Sequence, residues 1–406
     1  MEKQECVMLL GCGTVGSQAF RWLVERGSFK SILLVDADIQ QARHLAESTE
    51  LGSIVIAGIE QADVSDSKKI VGLMRSCVIV INTVGPFFRF GRVALEAALE
   101  AGVHYVDVND DVESLKDLLQ DTNIERTIQK SGKSFVVGAG TSPGSTGHMA
   151  RIGAAMLDCV ESIHVFLAAT ISWRGYPVFS HFTHSMGQPS EFYLDRELQP
   201  VQPFGKKELV RFLDIEEDTV CYAVGHPEPV LFPSHFTEVE RVTMKLGRIP
   251  NSLMEMFHHF YMYGLMDTTP INLDNGTEIA PADFTAAYLA SDAADKIFGF
   301  STAKPLSARL VKVIGQIAGE KATISCYHTS VSISGQDAAI IASLLIRGEL
   351  LVEGLTTAEA LDPWRIMKEL LEEEGAFMRY FVPSVGCAGE EFYTCDPLND
   401  YWRLKK

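Results

Sequence analysis

Two histidines, His181 and His184, lie three residues apart in the stretch WRGYPVFSHFTHSMGQPSEF, Trp173 to Phe192, beside Arg174, Tyr176, Ser185 and Glu191. Imidazole titrates near neutrality, so His184 first and His181 second are candidates for a general base; the competing reading of each is a satisfied structural histidine. Arg174 adds a cation suited to a carboxylate. The same spacing would suit zinc, but a third ligand is missing nearby and no resident metal is expected. Near the start of the chain, Gly11-Cys12-Gly13-Thr14-Val15-Gly16 offers different chemistry. Such a loop lets backbone N–H groups approach a pyrophosphate, and the helix that follows adds a favourable field for the anion. Asp36, roughly 20 residues further on, ends an apolar run and is placed to accept hydrogen bonds from ribose hydroxyls.

These groups need a scaffold. Up to about residue 140, short β-branched runs alternate with amphipathic helical stretches, which predicts βαβ units and a parallel sheet. Strands are expected at Val7–Leu10, Ile32–Val35, Ile54–Ala57, Cys77–Asn82, Tyr105–Val108 and Ser134–Val137. Helices are expected at Val15–Arg26, Ile39–Ser48, Ser67–Arg75, Gly91–Ala101 and Val112–Ser131. Right-handed crossovers then give an α/β fold, an N-terminal Rossmann doubly wound parallel sheet. From about residue 141 to 335 the texture changes, with strand-like runs at Ser162–Thr170, Ala308–Ala318 and Thr323–His328 among Pro-rich stretches. That predicts an α+β substrate domain with a mostly antiparallel sheet. Residues 336–380 read as a helical segment packing back on the first domain, with Asp362 and Pro363 at a helix start and Gly375 at its end. Residues 381–406 have no assigned role. The Met- and aromatic-rich stretch Asn251–Asp267 reads as a core or dimer-facing helix.

Composition narrows the class. The 406 residues carry a formal charge of −18, which opposes nucleic-acid binding. Eight scattered cysteines form no zinc-like pairs, so reduced thiols and a cytoplasmic setting are expected. No apolar run is long enough to span a bilayer, and no signal peptide is expected. Asp36 opposes a 2′-phosphate, by roughly 4 kcal/mol per unit charge about 4 Å away at an effective dielectric of 20, so NAD is preferred over NADP. Arg43, a little further into the helix, leaves NADP open. Asp38 reads as a helix N-cap.

Three stretches carry a family resemblance. VIVINTVGPFFRFGRVALEAALEAGVHYVDVNDD (Val78 to Asp111) and VVGAGTSPGSTGHMAR (Val136 to Arg151) are the first two. The third is LIRGELLVEGLTTAEALDPWRIMKELLEEEG, near the C-terminus, and GHPEPVLFP (Gly225 to Pro233) adds to them. Together they resemble the saccharopine dehydrogenase-like superfamily, in its saccharopine reductase and lysine 6-dehydrogenase branch. One departure is Pro143-Gly144-Ser145-Thr146-Gly147-His148, where relatives usually continue Pro-Gly-Leu-Thr-Asn. The resemblance implies hydride transfer between a nicotinamide cofactor and the C–N bond of an amino acid or polyamine-derived substrate; a homo-oligomer, a dimer, is expected. It implies that Asn82, Thr83, Gly85 and Pro86 lie along the cofactor with Gly11 to Gly16, Asp36, Ala37 and Asp63. Phe87, Asp107, Pro143, Gly144 and Arg174 would meet the substrate. Asp107 could hold an ammonium, Pro143-Gly144 could open an anion-binding helix, and Arg89 or Arg92 could pair a carboxylate. An alternative is a dinucleotide-binding sensor or scaffold without turnover.

Overall fold

The computed structural model describes residues 6–52, 54–172, 175–331, 334–372, 378–383 and 390–394. In chain order the elements begin β1 (Cys6–Leu10), α1 (Thr14–Arg26), β2 (Ser31–Asp36), α2 (Ile39–Glu47), β3 (Val55–Gln61), α3 (Ser67–Met74) and β4 (Ile79–Asn82). They continue with α4 (Phe87–Ala101), β5 (His104–Asp107), α5 (Val112–Gln120), α6 (Thr122–Ser131), β6 (Ser134–Val137) and α7 (Ser145–Ala154). Next come β7 (Cys159–Ala169), α8 (Tyr176–Gly187), β8 (Ser190–Leu194), β9 (Glu197–Val201), β10 (Glu208–Val210), β11 (Thr219–Ala223) and α9 (Glu228–Leu231). After these are β12 (Arg241–Arg248), α10 (Asn251–Met262), β13 (Ile271–Asn272), β14 (Glu278–Ile279), α11 (Pro281–Leu289), α12 (Asp292–Phe298), β15 (Ser307–Ile317) and β16 (Glu320–Ser330). The last are α13 (Ser334–Ile346), β17 (Gly354–Thr357), α14 (Pro363–Leu371), β18 (Met378–Pro383) and β19 (Glu390–Thr394).

The chain divides into two units, Met1–His148 with Ile333–Glu373, and Met149–Ser332 with Glu374–Lys406. The first is built on a seven-stranded sheet in the order β17-β6-β5-β4-β1-β2-β3. Every pairing in it is parallel. β1, β2, β4 and β6 are buried, largely apolar runs, as the central strands of a parallel sheet require. Strand order reverses between β1 and β4, which is where a doubly wound sheet opens a crevice at its carboxyl edge. β17, too short and polar to be read as a strand, adds the seventh place at the edge by pairing with β6. The stretch Val112–Ser131, expected as one helix, is two. Asp121 leaves helical geometry, its carboxylate accepts from the N–H groups of Asn123 and Ile124, and it starts α6.

A buried chain of hydrogen bonds ties the carboxyl ends of three strands in this unit. Asn82 Nδ2 donates to the Tyr105 hydroxyl at 2.9 Å, and that hydroxyl donates to Asp107 Oδ2 at 3.0 Å. Asp107 Oδ1 accepts from the N–H groups of Asn109 and Gly138, each at 3.0 Å. Asn82 Oδ1 accepts from Val84 N–H, which sets the loop after β4.

The second unit is a mixed sheet ordered β10-β11-β12-β7-β15-β16-β18-β19, with β8 on β12 and β9 on β8. Only β7 and β12 run parallel; the other pairings are antiparallel. Phe166, Phe212, Leu310 and Ala308 anchor an apolar cluster on one face. α7 packs on the opposite face, where a Cβ on Gly153 would come 2.9 Å from Val313 Cγ2. α10 buries Leu253, Met254 and Phe257 and exposes Met262. Asp362 caps α14 as expected, accepting from Trp364 N–H, while Gly375 lies outside the described residues.

Burial pushes the Asp107 carboxyl up to about 6 from 3.8, against the lowering effect of its Gly138, Asn109 and Tyr105 donors. An acid raised in this way holds its proton more tightly folded than unfolded. Its contribution is therefore present in acid and is lost as pH rises through about 6. Between about pH 4 and pH 7 the wild type is expected to lose stability relative to Asp107→Asn, as measured by the difference in thermal unfolding midpoints. A difference that stays flat with pH would contradict the buried placement.

Candidate cofactor and active site

At the switch point of the first unit, β1 runs directly into the glycine loop. Gly11 has a φ of 94°, in the left-handed region, and its N–H donates to Val35 at 2.8 Å. The Gly11 carbonyl accepts from Thr83 Oγ1 at 2.9 Å, so the loop after β1 is fastened to the loop after β4. A Cβ on Gly16 would stand 2.0 Å from that same carbonyl, so only glycine lets α1 start this close to the strand. Gly13 and Thr14 are exposed, and a Cβ on Gly13 would meet nothing within 4 Å. The first-turn amides of α1 have no carbonyl one turn back to bond, which leaves them for an anion. Cys12 is buried and its thiol is pushed up to about 12 by burial and then by Asp36, so it is a neutral wall and not a nucleophile.

Asp36 stands at the end of β2 with both oxygens held. Oδ2 accepts from Cys12 N–H at 2.7 Å and Oδ1 from Asp38 N–H at 2.8 Å. Each oxygen keeps a second lone pair for a ligand hydroxyl. Ala37 follows, exposed, and Asp38 caps α2 by accepting from Gln40 N–H, as the sequence suggested. Asp63, just past β3, accepts from both the N–H and the hydroxyl of Ser65, which hold its carboxyl below the ordinary range. These residues fit a dinucleotide: an open cradle, a helix N-terminus and a fixed carboxylate at successive strand ends.

Gly85 and Pro86 precede α4, with Pro86 at its N-cap and Phe87 buried in its first turn. Asp107, expected against a substrate, lies at the end of β5. At 1% exposure, with donors on both oxygens, it holds backbone and strand ends together. Pro143 and Gly144 precede α7, which begins at Ser145. There the N–H of Ser145 donates to Gly140 and that of Thr146 to Thr141, so two amides expected for an anion are engaged by the loop itself. Arg92 is tied to Asp121 at 2.6 Å and Glu96 at 2.7 Å, and Arg89 lies over the Phe88 ring. Neither arrangement presents an unengaged fork to a carboxylate.

In the second unit, His181 and His184 lie one turn apart on α8, both half-buried. Arg174 falls outside the described residues. Next to this helix is a pair that the sequence reading passed over. Gly225 N–H donates to the Ser185 carbonyl at 3.2 Å, which brings the following turn against α8. In that turn His226 Nδ1 lies 2.6 Å from Glu228 Oε2. Glu228 is fully buried and His226 nearly so. A carboxylate beside Nδ1 orients the ring, keeps the ring proton on Nδ1 and leaves the Nε2 lone pair to take up a proton, the arrangement of a base with its orienting acid. The signal was a His and a Glu flanking Pro227 in a stretch otherwise apolar. Among the described residues no group of three His, Cys, Asp or Glu side chains is placed to hold a metal ion, and no helix is long and apolar enough to cross a membrane.

Residues 7–133 match the family model of the saccharopine dehydrogenase NADP binding domain. Among solved structures, the apo histidine-tagged saccharopine dehydrogenase (L-Glu forming) from Saccharomyces cerevisiae is similar over 94% of this chain and 100% of its own, at 16% identity and a TM-score of 0.66. More remote are UDP-N-acetylglucosamine 3-dehydrogenase GnnA from Acidithiobacillus ferrooxidans and GenD2 from gentamicin A biosynthesis in complex with NAD. The first has a TM-score of 0.37 and 10% identity, over 90% of this chain and 95% of that one. The second has a TM-score of 0.35 and 11% identity, over 80% and 72%. Residues 7–133 thus match the saccharopine dehydrogenase NADP binding domain, and the chain shares the fold of the yeast saccharopine dehydrogenase.

Proposed function

We propose that the protein is a nicotinamide-dependent oxidoreductase that acts on the C–N bond of an amino acid or polyamine-derived substrate. The observation that carries this reading is the cradle from Gly11 to Gly16 with Asp36 beside it, inside a domain of the saccharopine dehydrogenase family. The yeast enzyme of the same fold is named for an amine substrate, which supports the C–N class here. When bound, the nicotinamide supplies or accepts a hydride. The chain's own residues do the rest: the loop amides seat the diphosphate, Asp36 takes the adenosine ribose, and Thr83, Gly85 and Pro86 border the ribose and nicotinamide end.

Amine oxidation needs a group that removes the ammonium proton before the hydride leaves, and imine reduction needs the reverse. We assign this to His226, oriented by Glu228, ahead of His184 and His181 on the adjoining helix. The buried Glu228 carboxylate, 2.6 Å from its ring nitrogen, is what fits His226 to the role. A positioned base of this kind contributes on the order of 10²- to 10⁴-fold.

NAD is the proposed cofactor. Two backbone donors pin the Asp36 carboxylate, so it cannot swing clear of a 2′-phosphate, and Ala37 supplies no compensating charge. Calorimetry is expected to show NAD(H) binding at least about tenfold tighter than NADP(H), with Asp36→Ala narrowing the gap. Equal affinities in the wild type would overturn the preference.

Lysine, saccharopine and polyamines assayed with either cofactor at the reduced-nicotinamide absorbance band test the reaction. Turnover of one or more is the expected result, and cofactor binding with no turnover across amines and keto acids would favour the sensor. In the active assay His226→Gln is expected to lower kcat by about 10²-fold or more, exceeding the effect of His184→Gln. The opposite ranking returns the base to α8.

A further inference from the structure

The parity of β12 places Val242, Met244, Leu246 and Arg248 on one face of the second unit's sheet. The first three are apolar and buried, as their position requires, and Arg248 is buried with them at 4% exposure. Its Nε has no hydrogen-bond partner. Among the described residues, the Arg248 side chain makes no hydrogen bond or ion pair; the Phe182 ring lies against it, its centroid 4.2 Å from the guanidinium carbon. Phe182 in turn packs on Phe179 and Phe257, and Phe179 on Phe300, so the ring over the guanidinium belongs to an aromatic cluster. Burial alone brings the arginine down to about 10, with no carboxylate acting to raise it. Arg309, on the same face and equally buried, is a contrast: its Nη2 donates to Ser330 Oγ at 2.6 Å.

A guanidinium kept from water without a counter-charge destabilises the fold, and the cation–π contact with one ring offsets only part of that. Such a group is instead complementary to an anion that arrives from outside. We propose that Arg248 is the binding site for a carboxylate of the substrate, with the aromatic residues around it holding the aliphatic chain that bears that carboxylate. The unengaged Nε edge matches the two oxygens of a carboxylate side by side, whereas a phosphate dianion would need further donors beside the arginine. Phe182 lies one residue after His181 and two before His184, so the anchor adjoins the helix of the candidate proton-transfer groups. The choice of a carboxylate rests on the C–N reading of the preceding section; the site as an anion acceptor does not.

The test is calorimetric titration of the full-length protein with glutarate, the neutral diamide glutaramide, or inorganic phosphate. The proteins compared are the wild type, Arg248→Lys and Arg248→Met, each carrying bound NADH. Wild type is expected to bind glutarate in preference to phosphate and glutaramide. Arg248→Met should weaken glutarate roughly 10- to 100-fold, the loss of a hydrogen-bonded charge pair, and Arg248→Lys should fall between. With no ligand added, Arg248→Met should unfold at a higher temperature than wild type, because an uncompensated buried charge has been replaced by an apolar side chain of similar length. A lower unfolding temperature would mark Arg248 as structural and overturn the proposal. So would equal glutarate affinities, a preference for phosphate, or no glutarate binding by the wild type. Glutarate held by Arg248 in a protein that turns over no amine would keep the anion site and remove the proposed reaction. Amine turnover with a KM indifferent to Arg248→Lys and Arg248→Met would do the reverse.

Discussion

The Gly11 carbonyl is the constraint on which the first unit is arranged. It receives the Thr83 hydroxyl from one side and the backbone of Gly16 from the other. These contacts bring the end of β1, the start of α1 and the loop after β4 into one tight crossing. Once the crossing is made, the loop carbonyl is satisfied from inside and Gly13 and Thr14 stay at the surface. The bond from Cys12 N–H to Asp36 brings the end of β2 into the same arrangement. An anion-binding cradle follows from backbone geometry, and side chains are needed mainly to keep it in place.

Buried polar groups in the two units serve different ends. In the first, Asn82, Tyr105 and Asp107 give and accept in sequence, and Asp107 receives donors from neighbouring loops. A buried network satisfied in this way makes rigid strand ends, which a cofactor site requires. In the second, His226 and Glu228 form an oriented pair, while Arg248 has no charge opposite it among the described residues. An uncompensated cation in an apolar wall weakens folding, and the weakness makes sense where a ligand completes the pair.

Much of the first unit was legible because local rules and tertiary demands agree there. Apolar runs of strand length, helical periodicity and a glycine loop all call for the same parallel sheet, and five of the six expected strands differ from the observed ones by two residues or fewer at either end. The exception is β3, which extends to Gln61, where the sequence loses its β-branched texture. The helix over 112–131 was misread because its apolar periodicity passes through Asp121 with little interruption. The break comes from that side chain capping α6 and pairing with Arg92, a partner 29 residues away. β17 was missed because its identity as a strand depends on the open edge of β6.

The sequence by itself determined the doubly wound sheet, the position of the dinucleotide loop and the acid beside it, because glycine conformation, periodicity and a spacing of some twenty residues are properties of short stretches of chain. Tertiary structure decided what the ionisable residues are for. Asp107 gains a fastening role from Tyr105, Asn109 and Gly138, and Arg248 resembles any surface arginine until strand parity buries it and Phe182 of α8 lies against it. Burial and partnership set the energy of a charge, and both are supplied by residues far away in the chain.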